Sequence, residues 1–452
     1  MKKIILVLLA VLIASLLAVS LSGCDRGEDV YAELEFQYSK DKDGYYVVGA
    51  EGGNTVVVPE KRNGKPVVGI SLPATHNDID KYVISKNVKD IQPGSFLSTT
   101  NHVTVEIDKD NPYYYVKDKS VIDARTKELV YSFVKWFRIP SEVTSIGAGA
   151  FAGNTYLTRA VIPSRIKSVG AGAFEYCSNL EYVVFREGVE EIGLGAFARC
   201  VNLEACSIPS SVVQLDSLFY DCDKIVEVKV HKKNPNYVVE GNCIIDKTKN
   251  QLVATFGTDV VIPEGVKTMT PTALMSSARS ISIPSSFELE KYMFRYCDRL
   301  TSITFAEGIE KIDHYIMMGC SWLKKIVLPA SIVEIDDKAF KDCISLTEVS
   351  FKPNSKLKTI GAYAFSGCVS LRKITLPSSL LKIGKTAFLY CNSLREVVFE
   401  DVNNWYATND ANDWNNCING ISVDVSNPLK NVDLFAKTMS TSDPGWSYFY
   451  KS

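Results

Sequence analysis

The chain has 452 residues, of which 46% are hydrophobic and 23% charged. That balance suits a folded or repetitive protein and excludes a disordered tail or a collagen-like fibre. Fifty Lys and Arg against 52 Asp and Glu leave a net charge of −2, which excludes the basic surplus that nucleic-acid binding uses. The four histidines, His76, His102, His231 and His314, lie far apart in sequence, so no His-built metal centre is expected.

In chain order, the first element is an address. Lys2 and Lys3 precede an apolar run from Ile4 to Val19 that only Ser15 interrupts. This is the layout of a secretory signal peptide, and it is too short for a comfortable membrane span. It ends in Leu21-Ser22-Gly23-Cys24, a tetrapeptide that resembles the bacterial lipobox. Small residues let a peptidase reach the backbone, and the Cys24 thiol is the group that would take a diacylglycerol. The expectation is cleavage after residue 23 and lipid anchoring on the outer face of a bacterial membrane. The acidic stretch after Cys24 has no Ser/Gly or Pro spacer, so the folded part should sit close to the bilayer.

The body repeats. The stretch IPSRIKSVGAGAFEYCSNLEYVVF at 162–185 recurs at 185–208, 328–351 and 376–399. Anchors at Ile139, Ile162, Phe185 and Ile208 step by 23 residues. Ten or more such coils can be counted. In each, a short run of alternating apolar residues predicts a strand, as at Leu371, Ile374 and Leu376. The following Pro ends ladder donation and starts a turn. A second apolar pair follows, such as Val189 and Ile192, and then a Gly read as a turn residue (Gly147, Gly170, Gly193, Gly361, Gly384). An A-F-x-x-C segment closes the coil. One such unit cannot bury its own apolar face, so the coils must stack.

The I-G-x-x-A-F-x-x-C-x-x-L run at Ile360–Leu371 resembles the leucine-rich repeats of the BspA-like family of bacterial surface proteins. The opening segments Gly44–Val48, Val56–Pro59 and Asn63–Val67 resemble that family's amino-terminal β module. The expected fold is a β-rich leucine-rich-repeat solenoid of about 23-residue coils with short helical or irregular turns. The expected organisation is a signal peptide at 1–23, a tether and β module at 24–66, and the array at 67–399. Inserted modules fall at about 107–138 and 230–261, and a cap at 400–452. The two inserts match each other: Asn111, Pro112, Asp123, Leu129 and Phe133 align with Asn234, Pro235, Asp246, Leu252 and Phe256, each offset by 123. The cap carries Trp405, Trp414, Cys417 and Trp446, for which an aromatic sugar-binding patch is the rival reading.

Eight cysteines share one repeat slot: Cys177, Cys200, Cys222, Cys297, Cys320, Cys343, Cys368 and Cys391. Asn154 and Thr99 fill it elsewhere, so the slot wants a small group that can bond loop backbone. A buried ladder of free thiols is expected, with disulfides the rival in an exported chain. Zinc is not expected, for there is no C-x-x-C. Cys206 falls at a core strand position, and Cys243 and Cys417 carry no assignment. The dinucleotide-like Gly147-x-Gly149 and Gly193-x-Gly195 lack a βαβ context. Asp336-Asp337 and Glu190-Glu191 read as surface pairs at repeat turns.

Strand alternation then names an exposed face. Its candidate binding residues are Arg159, Tyr182, Glu227, Lys229, Lys325, Glu348, Lys373 and Glu396. No catalytic residue, cofactor or metal is expected. The resemblance implies a cell-surface protein that binds an extracellular protein or glycan, adhesin-like and non-enzymatic. The alternative is an envelope accessory lipoprotein that holds wall polymer or another envelope protein. A dozen coils at about 4.8 Å each span only roughly 60 Å, and the tether is short.

Overall fold

The computed structural model describes residues 31–73, 79–96, 103–274, 278–295, 297–410, 415, 421–435 and 448–451. Cys24, Thr99, Trp414, Cys417 and Trp446 lie outside them. The chain is a β-solenoid with coils of about 23 residues. It divides into two compact units, one up to Val238 and one from Val239.

In the first unit, strand Glu33–Ser39 pairs antiparallel with Gly44–Glu51, which pairs parallel with Lys65–Ile70. Parallel stacking begins within this opening segment: Thr55–Val57 pairs with Lys81–Ile84, and that strand with Thr104–Ile107. Val47, Val56, Val67, Ile70, Tyr82 and Phe96 share its core. Beyond, each coil contributes one strand to each of two parallel ladders. The longer strands are Arg159–Ile162, Tyr182–Phe185, Ala205–Ile208 and Glu227–Val230. The two-residue strands Ser145–Ile146, Ser168–Val169, Glu191–Ile192 and Gln214–Leu215 form the other ladder. That second ladder continues into the insert Tyr114–Lys117, Ser120–Asp123 and Glu128–Ser132, whose strands run antiparallel to each other.

The second unit repeats the plan. Seven longer strands run from Asp259–Val261 to Glu396–Phe399, all parallel. Short strands Lys311–Ile312, Glu334–Ile335, Thr359–Ile360 and Lys382–Ile383 form the opposing ladder. Cys243–Asp246 and Gln251–Thr255 make the second antiparallel insert.

The paired inserts use the same polar anchors. Asn111 donates to the carbonyls of Ser85 and Val88 at 3.0 and 3.1 Å and accepts the amides of Tyr113 and Tyr114. Asn234 donates to Pro209 and Val212, both at 2.9 Å, and accepts the amides of Asn236 and Tyr237. A single amide side chain thus satisfies four backbone groups that the insert takes out of the ladder.

The coil end at Phe399 is covered. Helix Pro428–Phe435 packs on strand Glu396–Phe399, where Asn431 donates to the Val397 carbonyl at 2.8 Å. Strand Tyr448–Lys451 pairs antiparallel with Lys382–Ile383 and closes the edge of the short ladder. Trp405 is buried here, its ring edge-on to Phe399 at 4.8 Å and its indole N–H bonded to the Asp401 carbonyl. It therefore offers no sugar platform.

Two interior columns explain the A-F-x-x-C segment. Phe151, Phe174, Phe197 and Phe219 stack from coil to coil, with centroids 4.9, 5.4 and 6.3 Å apart. Phe340, Phe365 and Phe388 do the same in the second unit at 5.2 and 5.5 Å. Beside them, seven of the slot cysteines donate the thiol proton to the carbonyl of the Phe slot one coil back. Cys177 reaches Phe151 at 3.1 Å, Cys200 reaches Phe174 at 3.1 Å, and Cys391 reaches Phe365 at 3.2 Å. Asn154, in the same slot, donates to Val134 at 2.8 Å. The ten described cysteines are free, and all but Cys297 are fully buried.

The glycines stand at the entry to the turn, and neither Gly193 nor Gly384 has a left-handed backbone. What they need is closeness. A Cβ on Gly193 would lie 2.7 Å from the Ala171 amide nitrogen, and on Gly384 2.6 Å from that of Ala362. The left-handed φ falls two residues later, at Gly195 (+61°) and Thr386 (+49°) alike.

Candidate functional site: the outward strand face

The longer strands are in register, so equivalent outward residues line up in rows. Arg159, Tyr182, Ala205 and Glu227 form one row of the first unit, and Val161, Val184, Ser207 and Lys229 the next. In the second unit Ser302, Lys325, Glu348, Lys373 and Glu396 follow one another. Their inward neighbours, such as Ile326, Ile374 and Val397, are buried, as the pleat demands.

All eight candidate residues therefore lie on outward strand faces, four in each unit: seven are exposed, and Glu396 is half-buried. Their charges are largely spent on one another. Lys325 meets Glu348 at 2.8 Å and Lys373 meets Glu396 at 2.7 Å. Lys229 is ion-paired with Glu227. The Arg159 guanidinium lies 5.2 Å from the Tyr182 ring centroid, and the Tyr182 hydroxyl donates to Glu204 at 2.9 Å. That bond to the Glu204 carboxylate pushes the Tyr182 phenol above its ordinary pKa. Each unit's face is a set of mutually neutralised rows, with exposed Val161 in the first and Thr304 in the second. Its rows are regularly spaced, and among the described residues they bring together no acid, base and nucleophile.

One residue beside each unit's face escaped sequence reasoning. Glu204 sits in the turn before its strand, outside the alternation. Asp259 opens the seven-stranded sheet and accepts the Ser280 hydroxyl, a bond that holds its carboxyl below the usual range.

Among the described residues, one His/Asp group converges: His314, Asp336 and Asp337 offer donor atoms within 4.8 Å of one another. Separation of the histidines along the chain gives no hint of this, because the coil brings residues 23 positions apart side by side. The carboxylates already serve the turn. Asp336 pairs with Lys311 at 2.8 Å and accepts the Asp337 amide, while Asp337 accepts the Ala362 amide at 2.6 Å. Burial works to raise the Asp336 pKa, but Lys311 and the Asp337 amide outweigh it and leave it lowered.

Comparison with known proteins adds the following. No curated protein matches the chain. A leucine-rich repeat protein from Eubacterium ventriosum is 22% identical, over 59% of this chain and 89% of its own, with a TM-score of 0.40. A leucine rich cell surface protein from Faecalibacterium prausnitzii is 21% identical, over 86% and 97%, with a TM-score of 0.43. A leucine-rich repeat protein from Bacteroides ovatus is 18% identical, over 82% and 99%, with a TM-score of 0.36. The BspA type leucine rich repeat region matches in six copies, at residues 127–243, 268–395 and 310–437. That is more than half of the sequence, and the stacked A-F-x-x-C coils are the structural form of the same pattern: the chain belongs to the BspA-type leucine-rich-repeat family.

Proposed function

We propose that this is a lipid-anchored bacterial surface protein that presents its outward strand rows to an extracellular protein or glycan. The observation that carries the reading is the face itself: parallel, in-register rows of exposed side chains on a rigid sheet, in a family built from such repeats. A sheet of this kind is the solenoid's usual binding surface. No helix of the described residues is long and apolar enough to cross a membrane. Attachment in this reading is through Cys24, at the end of the lipobox-like Leu21-Ser22-Gly23-Cys24. No reaction is proposed.

The test uses intact cells. Protease added outside should remove the chain from the surface, and mass spectrometry of the membrane-extracted protein should find diacylglycerol on Cys24. An unmodified Cys24 overturns the anchor. Protection from protease until the wall is stripped, with binding confined to wall fragments, replaces surface display with the envelope accessory role.

A further inference from the structure

Between the first insert and the next coil, the segment at 134–138 is tied down yet holds a tryptophan out. Val134 is buried, and its carbonyl accepts the Asn154 side-chain amide at 2.8 Å. Phe137 packs on Phe151 and Phe174, with centroids 5.3 and 6.0 Å away. The Lys135 ammonium lies 5.2 Å from the Tyr156 ring centroid. Between these moored neighbours Trp136 is 85% exposed. Single exposed apolar side chains are ordinary. A tryptophan can bury about 150–250 Å², and this one gives the fold almost none of it.

Cationic residues are its neighbours along the chain. Lys135 and Arg138 flank it in sequence and are exposed. The insert's turn is held alongside: the Lys119 carbonyl accepts the Phe133 amide at 3.1 Å, and Asp118 lies 3.8 Å from the Arg138 guanidinium. Lys117 is tied to Glu142 at 2.7 Å, which leaves exposed Lys119 as the turn's other cation.

The second insert is an internal control. At the same offset of 123, Lys119 becomes Asn242, and Lys135, Trp136 and Arg138 become Thr258, Asp259 and Val261. There Asp259–Val261 is a strand paired with Ser280–Ser282. In the first copy 136–138 forms no strand, and Arg159–Ile162 is left as the edge of its sheet. The scaffold thus folds without the indole or the cations, and their presence in one copy calls for a reason outside the fold.

We infer that Trp136, with Lys119, Lys135 and Arg138, forms a recognition site for an anionic glycan, a polymer whose sugar rings carry carboxylate or sulfate groups. The indole face stacks on the C–H face of a sugar ring, and the neighbouring cations pair with its acids. A bilayer is disfavoured because one exposed apolar side chain buries too little hydrocarbon. A protein partner is disfavoured because a single aromatic on a loop lacks the apolar centre of a stable interface. The inference rests on the binding role proposed above and names its ligand.

The test is retardation of the intact chain in native gels cast with polygalacturonate or heparin, with dextran as the neutral control. Vesicles of phosphatidylglycerol in phosphatidylcholine form a separate arm. Retardation by an anionic polymer is expected, and it should weaken as salt rises. Trp136→Ala should weaken it about tenfold, with unchanged thermal unfolding because the side chain is already in water. Lys135→Ala combined with Arg138→Ala should weaken it comparably. Val226→Ala, at another highly exposed apolar position, should change nothing. Absence of retardation by both polymers overturns the inference, as does retardation that Trp136→Ala leaves intact or that dextran reproduces. Vesicle capture abolished by Trp136→Ala replaces the glycan with a lipid surface. Any of these failures leaves surface display standing, since protease shaving tests that separately.

Discussion

The A-F-x-x-C turn and the outward strand row recur at the same interval but obey opposite rules. In the turn, like stacks on like: phenylalanine on phenylalanine, thiol beside thiol, glycine against backbone. In the row, neighbours differ: Lys325, Glu348, Lys373 and Glu396 alternate in sign. The cause is the spacing of about 4.8 Å between coils. Buried identical groups fit that spacing because apolar rings and hydrogen-bonded thiols attract at close range. Identical charges at that spacing repel, so an exposed row must alternate or stay neutral. The interior is thus fixed by the repeat, and the exterior is left open to specialise, as Trp136 against Asp259 illustrates.

The widest gap between the two regions should appear on truncation of an interior ring. Phe365 is fully buried between Phe340 and Phe388. Phe365→Ala removes stacking on both sides and leaves a cavity that the coils cannot close. A loss of about 3–5 kcal/mol is expected, read as a fall in the urea midpoint. A loss below about 1 kcal/mol would mean that the column is decoration and that the ladders alone hold the solenoid.

This interior was the part legible in the sequence. The 23-residue step, the alternation and the A-F-x-x-C closure suffice to place Phe174 and Phe197 in one column and Arg159 and Tyr182 in one row, because translation along a solenoid preserves the slot. The glycines were legible as turn residues, but the close approach behind them was not. A residue string shows that Gly193 shares its slot with Asp216 and Asp336 in other coils, but not that the Ala171 amide lies where a Cβ on Gly193 would go. Pairing of charges across the row was also hidden, since side-chain partners depend on rotamers. Trp136 was readable in principle: the offset that matched Asn111 to Asn234 also sets it against Asp259, and divergence within a duplicated frame was the available signal.

The thiol column gives an intermediate effect with a clear sign in pH. Burial pushes the Cys343 and Cys391 thiols up to about 12. The folded state therefore holds these protons at a pH where the unfolded chain releases them. Stability from this source is complete below the ordinary thiol pKa and is lost as pH rises towards about 12. Thiol-reactive reagents at neutral pH should label the intact fold slowly and should label fully after unfolding. Cys343→Ala, which removes the bond to the Met317 carbonyl at 3.2 Å, should cost about 1 kcal/mol. Prompt labelling of the folded chain at neutral pH would refute a sealed column.

The smallest effect is expected on the row, and its smallness is what makes the face usable. Lys325 and Glu348 meet at 2.8 Å with about half of each side chain in water. A pair so hydrated contributes roughly 0–1 kcal/mol, and salt screens it further. Lys325→Ala should lower the unfolding free energy by no more than about 0.5 kcal/mol, and by less in high salt. If so, a ligand lost on Lys325→Ala is lost from the surface and not through unfolding. A cost near that of Phe365→Ala would reverse the argument: the alternating charges would then be part of what holds the coils in register, and the row would no longer be free to change its partner without changing its fold.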